Sequence, residues 1–208
     1  MTTAPQPRYS EVQERSRLAA LCALGTHANP AMAALAVIDV AQSFLAEVVS
    51  QLDLQPQMDA LACKAGCYTC CHQIVGISSA ELSLLQQAIA QLPAKQQKQI
   101  KAQITKIARK GRQFDQAQWW QAQLRCPLLD EQGRCSIHAA RPLPCRAMNS
   151  ADASICERSY RGEALPIPIL AAQHRVYGHA QTGLIQALAQ MGQSNGALNM
   201  ALALADQL

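Results

Sequence analysis

The sequence predicts a mainly α-helical domain with an irregular, metal-organised central segment that carries eight cysteines. Three observations support this fold class. Ala, Leu and Gln, which all favour helices, dominate the 208 residues, and aromatic residues make up only 4%. Apolar residues recur at helical spacing over most of the chain. This periodicity weakens between Cys126 and Pro168, where cysteine, proline and arginine become frequent.

We expect three regions in a chain of this length. Residues 1–58 are an N-terminal helical region, and residues 59–162 are a cysteine-cluster metal-binding domain. Residues 163–208 are C-terminal helices that pack on the same domain. The chain is long enough to bury a core without covalent crosslinks, and half of its residues are apolar, so it is not disordered.

The N-terminal region contains two predicted helices. The first begins at a capping box formed by Ser10 and Gln13 and runs to about Leu24. Pro30 takes the first position of the second helix, which runs to about Leu54. The apolar stripe of this second helix consists of Met32, Leu35, Ile38, Leu45, Val48, Val49 and Leu52.

Two further helices are predicted after the first cysteines. A capping box formed by Ser78 and Glu81 begins one of them, and Pro93 begins the next. The apolar face of the later helix consists of Ile100, Ile104 and Ile107. Its outer face is rich in Lys and Arg, which we interpret as a solvated surface.

The C-terminal part is predicted to contain a long helix, a turn and a short helix. The long helix runs from Ile169 to about Met191, the turn lies at Asn195-Gly196, and the short helix covers 197–206. Between the cysteine-rich stretches, at least one of Trp119 and Trp120 should pack in the core or against the cysteine cluster.

Charge and hydropathy exclude several classes of function. The net charge is only +4, and no basic run alternates with aromatic residues, so nucleic-acid binding is not expected. Residues 1–17 are polar and lack the apolar core of a signal peptide. The most apolar stretch contains Asp39 and Glu47, so we expect no membrane span. We therefore expect a cytoplasmic protein, in which clustered cysteines stay reduced and act as ligands or catalysts.

The densest cysteine cluster has four thiols within nine residues: Cys63, Cys67, Cys70 and Cys71. If this stretch is helical, the four side chains project from one face about 100° wide. If Gly66 instead opens a tight loop, the thiols still converge. Either arrangement gathers thiolates whose mutual repulsion only a cation offsets. We predict that these thiols bind metal together with the four that follow at Cys126, Cys135, Cys145 and Cys156.

The adjacent pair Cys70 and Cys71 indicates more than one metal ion. Both side chains can hardly enter one tetrahedral shell with Cys67 without strain. Eight thiols then divide into two four-thiolate sites or form one polynuclear site. Zinc and an iron–sulfur cluster are both candidates, because tetrahedral sulfur ligation suits both.

Other side chains near the cysteines have weaker claims to a role. Several cations lie within six residues of a predicted ligand and could donate hydrogen bonds to sulfur: Lys64, Arg125, Arg134, Arg141, Arg146 and Arg158. His72 and His138 are not assigned as ligands, because eight thiols suffice. The isolated Cys22 is interpreted as a small buried hydrophobic residue.

The cysteines lie in three motifs that can be compared with a known family. They are Cys63-x3-Cys67-x2-Cys70-Cys71 with Glu81 after it, Cys126-Pro127-Leu128-Leu129 with Gly133-Arg134-Cys135-Ser136-Ile137, and Arg141-Pro142-Leu143-Pro144-Cys145-Arg146. Together they resemble the CxxCxxCC family, the YkgJ-like group of zinc- or iron-chelating proteins, over about residues 60–160. The resemblance implies that the eight cysteines are metal ligands. His138 departs from it, since the family usually has Tyr after Cys-x-Ile.

A more distant resemblance is to flagellin lysine N-methylases, which share the cysteine cluster and for which iron–sulfur chemistry is implied. They are longer proteins, and no methyl-donor pocket motif is found in this chain.

Three functions follow from these patterns. The main hypothesis is a metal-binding protein whose eight cysteines ligate zinc or an iron–sulfur centre that is required for folding. The first alternative is an iron–sulfur-dependent enzyme that modifies a protein side chain by methyl transfer or redox chemistry. The second alternative is a metal-delivery protein. The expected partners are metal ions, joined in the two alternatives by a protein substrate or partner.

Overall fold

The fold was described from a computed structural model that covers residues 7–193 and 196–207. Over these ranges the chain is mainly α-helical, as predicted, with ten α-helices and one two-stranded antiparallel sheet. The helices are α1 (Tyr9–Thr26), α2 (Ala31–Gln51), α3 (Gln55–Asp59), α4 (Ser79–Ala90), α5 (Ala94–Gly111), α6 (Gln116–Gln121), α7 (Leu143–Ala147), α8 (Ala153–Tyr160), α9 (Ala171–Gln190) and α10 (Met200–Ala205). The strands are β1 (Gly76–Ile77) and β2 (Leu198–Asn199), and short 3-10 turns cover Thr69–His72 and His138–Ala140.

The larger core lies between the three long helices α1, α2 and α9. Helix α2 carries alanines at Ala31, Ala33, Ala34 and Ala41 that are fully buried, and such small side chains let neighbouring helices approach closely. The larger side chains of this core are Val12, Val37, Phe44, Val48, Tyr177, Leu184 and Leu188. The burial of α2 therefore depends on small residues as much as on large ones.

The smaller core joins α4, α5, β1 and α10 to the cysteine-rich segment. It contains Ile77, Leu85, Ile89, Ile100, Ile104, Leu128, Ile137, Met200 and Leu204. Cys126 and Cys135 pack against its edge. A well-packed hydrophobic layer thus supports two of the predicted metal ligands from one side.

Several predicted helix features are confirmed. The Ser78–Glu81 capping box begins α4, and Pro93 immediately precedes α5. Trp119 is 3% exposed and packs against Ile107. Helix α9 lies within two residues of its predicted bounds.

Other predictions about the N-terminal region were wrong. Helix α1 begins at Tyr9 without a side-chain cap, so Ser10 lies inside the helix and does not cap it. Pro30 is the N-cap of α2 and not its first residue, and α2 ends at Gln51. Leu35 is 38% exposed, because the helix turns its alanines toward the core.

The predictions for Cys22 and for the start of the C-terminal helix were also wrong. Cys22 is exposed and is not a buried hydrophobic residue. The short C-terminal helix begins at Met200, because residues 198–199 form β2 and pair with β1. Asn195 of the predicted turn lies outside the described residues.

Helix α2 is long and apolar enough to cross a membrane when judged by length and composition alone. Half of its most apolar window is buried inside the protein. A buried helix of a globular core meets the same criterion, and the contacts of α2 with α1, α4 and α9 are of that kind.

A glycine on α9 should be essential to the packing of α1 on α9. A Cβ atom at Gly183 would lie 2.2 Å from the carbonyl oxygen of Gln13, so Gly183→Ala must push the helices apart. We expect the substitution to lower the free energy of unfolding by about 1–3 kcal/mol, measured by chemical denaturation.

Gly178 on the same helix provides the matched control. A Cβ atom there meets nothing within 4 Å, so Gly178→Ala should leave stability unchanged or raise it by about 0.5–1 kcal/mol. Equal effects of the two substitutions would contradict the proposed close approach.

Candidate metal centre

The first cysteine stretch is a tight loop, which was the second of the two arrangements considered from the sequence. Gly66 has φ +87°, a conformation that other residues rarely adopt. The amide of Cys67 donates a 3.0 Å hydrogen bond to the Lys64 carbonyl and closes the turn. The 3-10 turn over Thr69–His72 then places Cys70 and Cys71 in succession. The chain therefore reverses at a glycine between Cys63 and Cys67, and Cys70 and Cys71 follow in the next turn.

The second stretch is a small hairpin that brings Cys126 and Cys135 together. An isolated β-bridge joins Leu129 to Cys135, and Gly133 has φ +73° in the turn between them. Asp130 orders this turn, since its carboxylate accepts a 2.8 Å hydrogen bond from the Arg134 amide. The turn residues therefore fix the separation of the two cysteines.

The two stretches contact each other directly. The amide of Cys126 donates a 2.8 Å hydrogen bond to the Cys71 carbonyl. The ring of Tyr68 packs on Gly133, where a Cβ atom would lie only 2.5 Å from Tyr68 Cδ1. Glycine is thus required at position 133 both for the turn and for the approach of the first loop.

Cys145 is positioned through a buried carboxylate. Glu81, which is 0% exposed, accepts hydrogen bonds from the amides of Ser78 and Leu143, both at 2.8 Å. Burial raises the pKa of Glu81 above its usual range, while these hydrogen bonds oppose the shift. The carboxylate therefore attaches α7, which carries Cys145, to the N-terminus of α4.

Gln173 and Ser150 hold two further parts of the cysteine-rich segment through polar contacts. Gln173 on α9 donates a 2.8 Å hydrogen bond to the Arg146 carbonyl beside Cys145. The Ser150 carbonyl lies 3.8 Å from Cys63 Sγ and accepts a 2.9 Å hydrogen bond from the Ala62 amide. Sequence reasoning missed Ser150 and Gln173, because neither belongs to a local pattern that would mark it.

The thiols influence each other in two groups. We define the outer thiol group as Cys63, Cys67 and Cys156. Burial raises the pKa of Cys63 and of Cys67, and charge on Cys156 and Cys70 raises both further. Cys156 lies on α8, whose N-terminus is capped by the Asp152 carboxylate.

The inner thiol group is Cys126, Cys135 and Cys145. Burial raises the pKa of Cys126 to about 12 and holds that of Cys145 well above the usual thiol range. Negative charge on Cys135 and on Cys70 adds to both shifts, and charge on Cys126 adds to that of Cys145. Cys70 is thus within electrostatic reach of both groups, and its pKa is raised first by a hydrogen bond with Cys71 and then by burial.

The donor set suits a thiophilic metal, although the coordination shell is not assembled. All nine cysteines are free thiols, and of the eight clustered ones only Cys63 is exposed, while the other seven are half-buried. In the described part of the chain, no three His, Cys, Asp or Glu side chains are arranged to hold an ion. Because burial holds the pKa of Cys126 and of Cys145 well above the usual thiol range, a metal at these two residues must displace their protons, as zinc and iron do at cysteine sites.

Aromatic rings and histidines surround the outer part of the site. His72 is buried between the rings of Tyr68 and Tyr160, with centroid separations of 5.8 and 4.7 Å. Its Nδ1 atom lies 3.3 Å from the Thr69 carbonyl, and burial lowers its pKa. His138 begins the second 3-10 turn. The packing of His72 accounts for its burial without any bond to metal.

Fold and site together define a helical metal-chelating protein of the cysteine-cluster type. Residues 62–163 match the model of the CxxCxxCC family, which is described as a "putative zinc- or iron-chelating domain". This segment belongs to that family, and the predicted family resemblance is confirmed over nearly the same residues. Searches of curated proteins and of solved structures found no match.

The stability of the metal-free protein should fall as pH rises. The pKa of Cys126 is about 12 in the folded chain, against about 8.5 for an unperturbed thiol. A group with a raised pKa stabilises the fold below its unfolded pKa and loses this contribution as pH increases. The denaturation midpoint should therefore decrease as the pH is raised from about 8.5 toward about 12 in the presence of a chelator.

The metal-loaded protein should behave in the opposite way. Its thiolates are already deprotonated, so protons compete with the metal, and stability should fall as pH decreases. If the denaturation midpoint depends on pH in the same way with and without chelator, the thiols do not bind the metal.

Loss of the Glu81 carboxylate should loosen the Cys145 segment. Glu81→Ala leaves the buried amides of Ser78 and Leu143 unpaired, which costs about 1–3 kcal/mol for each. We expect a lower free energy of unfolding and faster alkylation of Cys145, followed by mass spectrometry. Ser78→Ala is the control, because it weakens the helix cap but keeps the hydrogen bond that the Leu143 amide donates to the Glu81 carboxylate. If this control accelerates alkylation equally, the carboxylate does not position α7.

Proposed function

We propose that the protein binds metal through its eight clustered cysteines and that zinc or an iron–sulfur centre is required for the central segment to fold. The proposed ligands are Cys63, Cys67, Cys70, Cys71, Cys126, Cys135, Cys145 and Cys156. The observation that carries the proposal is that free thiols from separate stretches of the chain influence one another electrostatically, and none of them forms a disulfide. The match to a zinc- or iron-chelating domain supports it.

Metal bonds would supply what this part of the fold lacks. The loop around Gly66, the hairpin around Gly133 and the short helices α7 and α8 are joined by few backbone hydrogen bonds between segments. A long irregular segment inside a compact domain needs such a support. Four-thiolate sites contribute folding free energy directly, since the metal binds the folded arrangement and not the unfolded chain.

Cys70 and Cys71 are proposed to serve different groups, so that one thiol completes the outer group and the other completes the inner group. Each group contains three thiols and needs one more for four-fold ligation. Cys70 is within electrostatic reach of both groups, so it serves as the fourth inner ligand or as a bridge. Either assignment yields two metal ions or one polynuclear centre.

A cavity beside the inner thiol group favours a structural role over catalysis at that group. It adjoins Cys126, Trp119 and Leu124 and has a volume of about 10 Å³, which is room for one water molecule. A catalytic metal needs an open position next to a pocket that admits substrate. An iron–sulfur enzyme that modifies a protein side chain would need more space than this cavity offers.

The outer thiol group favours metal delivery as the second candidate function. Cys63 is exposed, whereas the other clustered cysteines, including Cys67 and Cys156 of the outer group, are half-buried. Exposed thiolates exchange metal more readily, because an acceptor protein can reach them. A metal-delivery protein would therefore release metal from the outer group and retain it in the inner group.

Metal analysis of protein purified without oxygen tests the proposal. We expect a colourless protein with about two zinc ions per chain, or a brown protein with acid-labile sulfide. Purified protein that binds neither metal would overturn the proposed function. Stepwise removal by a chelator distinguishes the second candidate, which requires one fraction of the metal to leave much faster than the rest.

Separate replacement of Cys70 and Cys71 tests the division of the pair. Cys71→Ser should release metal from one group, while Cys70→Ser should weaken one group or both. Cys22→Ser is the control and should keep the full metal content, because Cys22 is exposed on α1, far from the site in sequence. If both serine variants lose the same single ion and keep the other, Cys70 and Cys71 share one site.

A further inference from the structure

Arg141 has an unexplained position beside the inner thiol group. It precedes the Pro142-Leu143-Pro144-Cys145 stretch and is half-buried. Its Nε atom is shielded from solvent and has no hydrogen-bond partner in the described part of the chain. Leaving a buried donor of a charged group unpaired is costly, so such a donor commonly marks the place of a missing acceptor.

No carboxylate in the described residues compensates this guanidinium. The ion pairs found there do not include Arg141 or its neighbour Arg146. The buried carboxylate of Glu81 is already occupied by Ser78 and Leu143.

Arg146 adds a second positive charge to the same place. Its Nε atom donates a 2.8 Å hydrogen bond to the Arg141 carbonyl, and Nη2 bonds the Ala139 carbonyl. Burial and the charge of Arg141 lower the pKa of Arg146. Two neighbouring guanidinium groups without a carboxylate partner are unfavourable, unless a negatively charged metal–thiolate centre forms beside them.

The titratable groups near Arg141 are three thiols, the Tyr177 hydroxyl, the His138 ring and the Arg146 guanidinium. The positive charge of Arg141 acts on Cys70, Cys135 and Cys145, and lowers the pKa of each against the larger effects that raise it. A divalent metal with four thiolates has a net charge of −2, which two guanidinium groups would balance. Guanidinium is also weakly hydrated and suited to partly buried ion pairs.

We propose that Arg141 is a positioning residue of the inner metal site, where its Nε–H donates to a metal-bound thiolate and its charge, with that of Arg146, neutralises the centre. The inference rests on the proposed function, since the acceptor is a thiolate that exists only when metal is bound. Arg141 is thus a cation outside the first coordination shell, and it raises the metal affinity of the inner site.

Substitution of Arg141 in the full-length, metal-loaded protein tests this role. Zinc affinity is measured by competition with a chromophoric chelator, and the thiolate-to-metal charge-transfer band is recorded after cobalt(II) substitution. Arg141→Gln should lower the affinity of the inner site by about 10–100-fold and shift the band. Arg141→Lys, which keeps the charge but not the Nε–H, should lie between Gln and wild type.

Arg134→Gln is the matched control. Arg134 precedes Cys135, but it is exposed and paired with Asp130, so its loss should change the affinity less than about threefold and leave the band in place. If Arg141→Gln behaves like Arg134→Gln, the positioning role is wrong. If Arg141→Lys equals wild type in affinity and spectrum, the proposed hydrogen bond is absent.

These outcomes are distinct from a failure of the proposed function. Wild-type protein that binds no metal would overturn both proposals. Wild-type protein that binds metal normally while the Arg141 variants do so equally well would overturn only the role of Arg141. Because the lysine substitution retains the charge, it still tests the hydrogen bond if the glutamine variant does not fold.

Discussion

The buried carboxylate of Glu81 is the interaction on which the arrangement of the cysteines depends most. One oxygen accepts from Ser78 and begins helix α4, and the other accepts from the Leu143 amide at the start of the helix that carries Cys145. A carboxylate that is fully buried must have its lone pairs occupied, so both contacts are needed together. A local helix cap and a contact between residues 62 positions apart are therefore parts of one network.

Around this network the fold separates a hydrophobic support from a polar, thiol-rich layer. Helices α4, α5 and α10 pack their apolar faces beneath Cys126 and Cys135, and the α1–α2–α9 core lies beside α7. The inner thiol group thus rests on well-packed structure, while the outer group is divided between the loop of Cys63 and Cys67 and helix α8, which carries Cys156.

Local patterns of sequence predicted local structure well. The isoleucines of α5, the Ser78–Glu81 box and the boundary at Pro93 depend on residues within one or two turns of each other. The cap predicted at Ser10 was wrong because α1 begins earlier, at Tyr9, whereas the predictions for Leu35 and Cys22 were wrong for a shared reason. Which face of α1 or α2 is buried depends on the partner helices, and α2 turns its small alanines inward so that the backbones approach closely.

The sequence by itself determined the chemistry of the site: eight soft donors, two glycine-dependent turns and an adjacent cysteine pair that no single tetrahedral shell accepts easily. The membership of residues 62–163 in a chelating family follows from the same residues. Only the tertiary structure decided which thiols become neighbours, that Cys70 reaches both groups, and that Arg141 has a buried Nε–H without an acceptor. Residue type and spacing specify which groups can bind metal, but contacts between distant segments depend on how whole helices pack, and no local pattern encodes that.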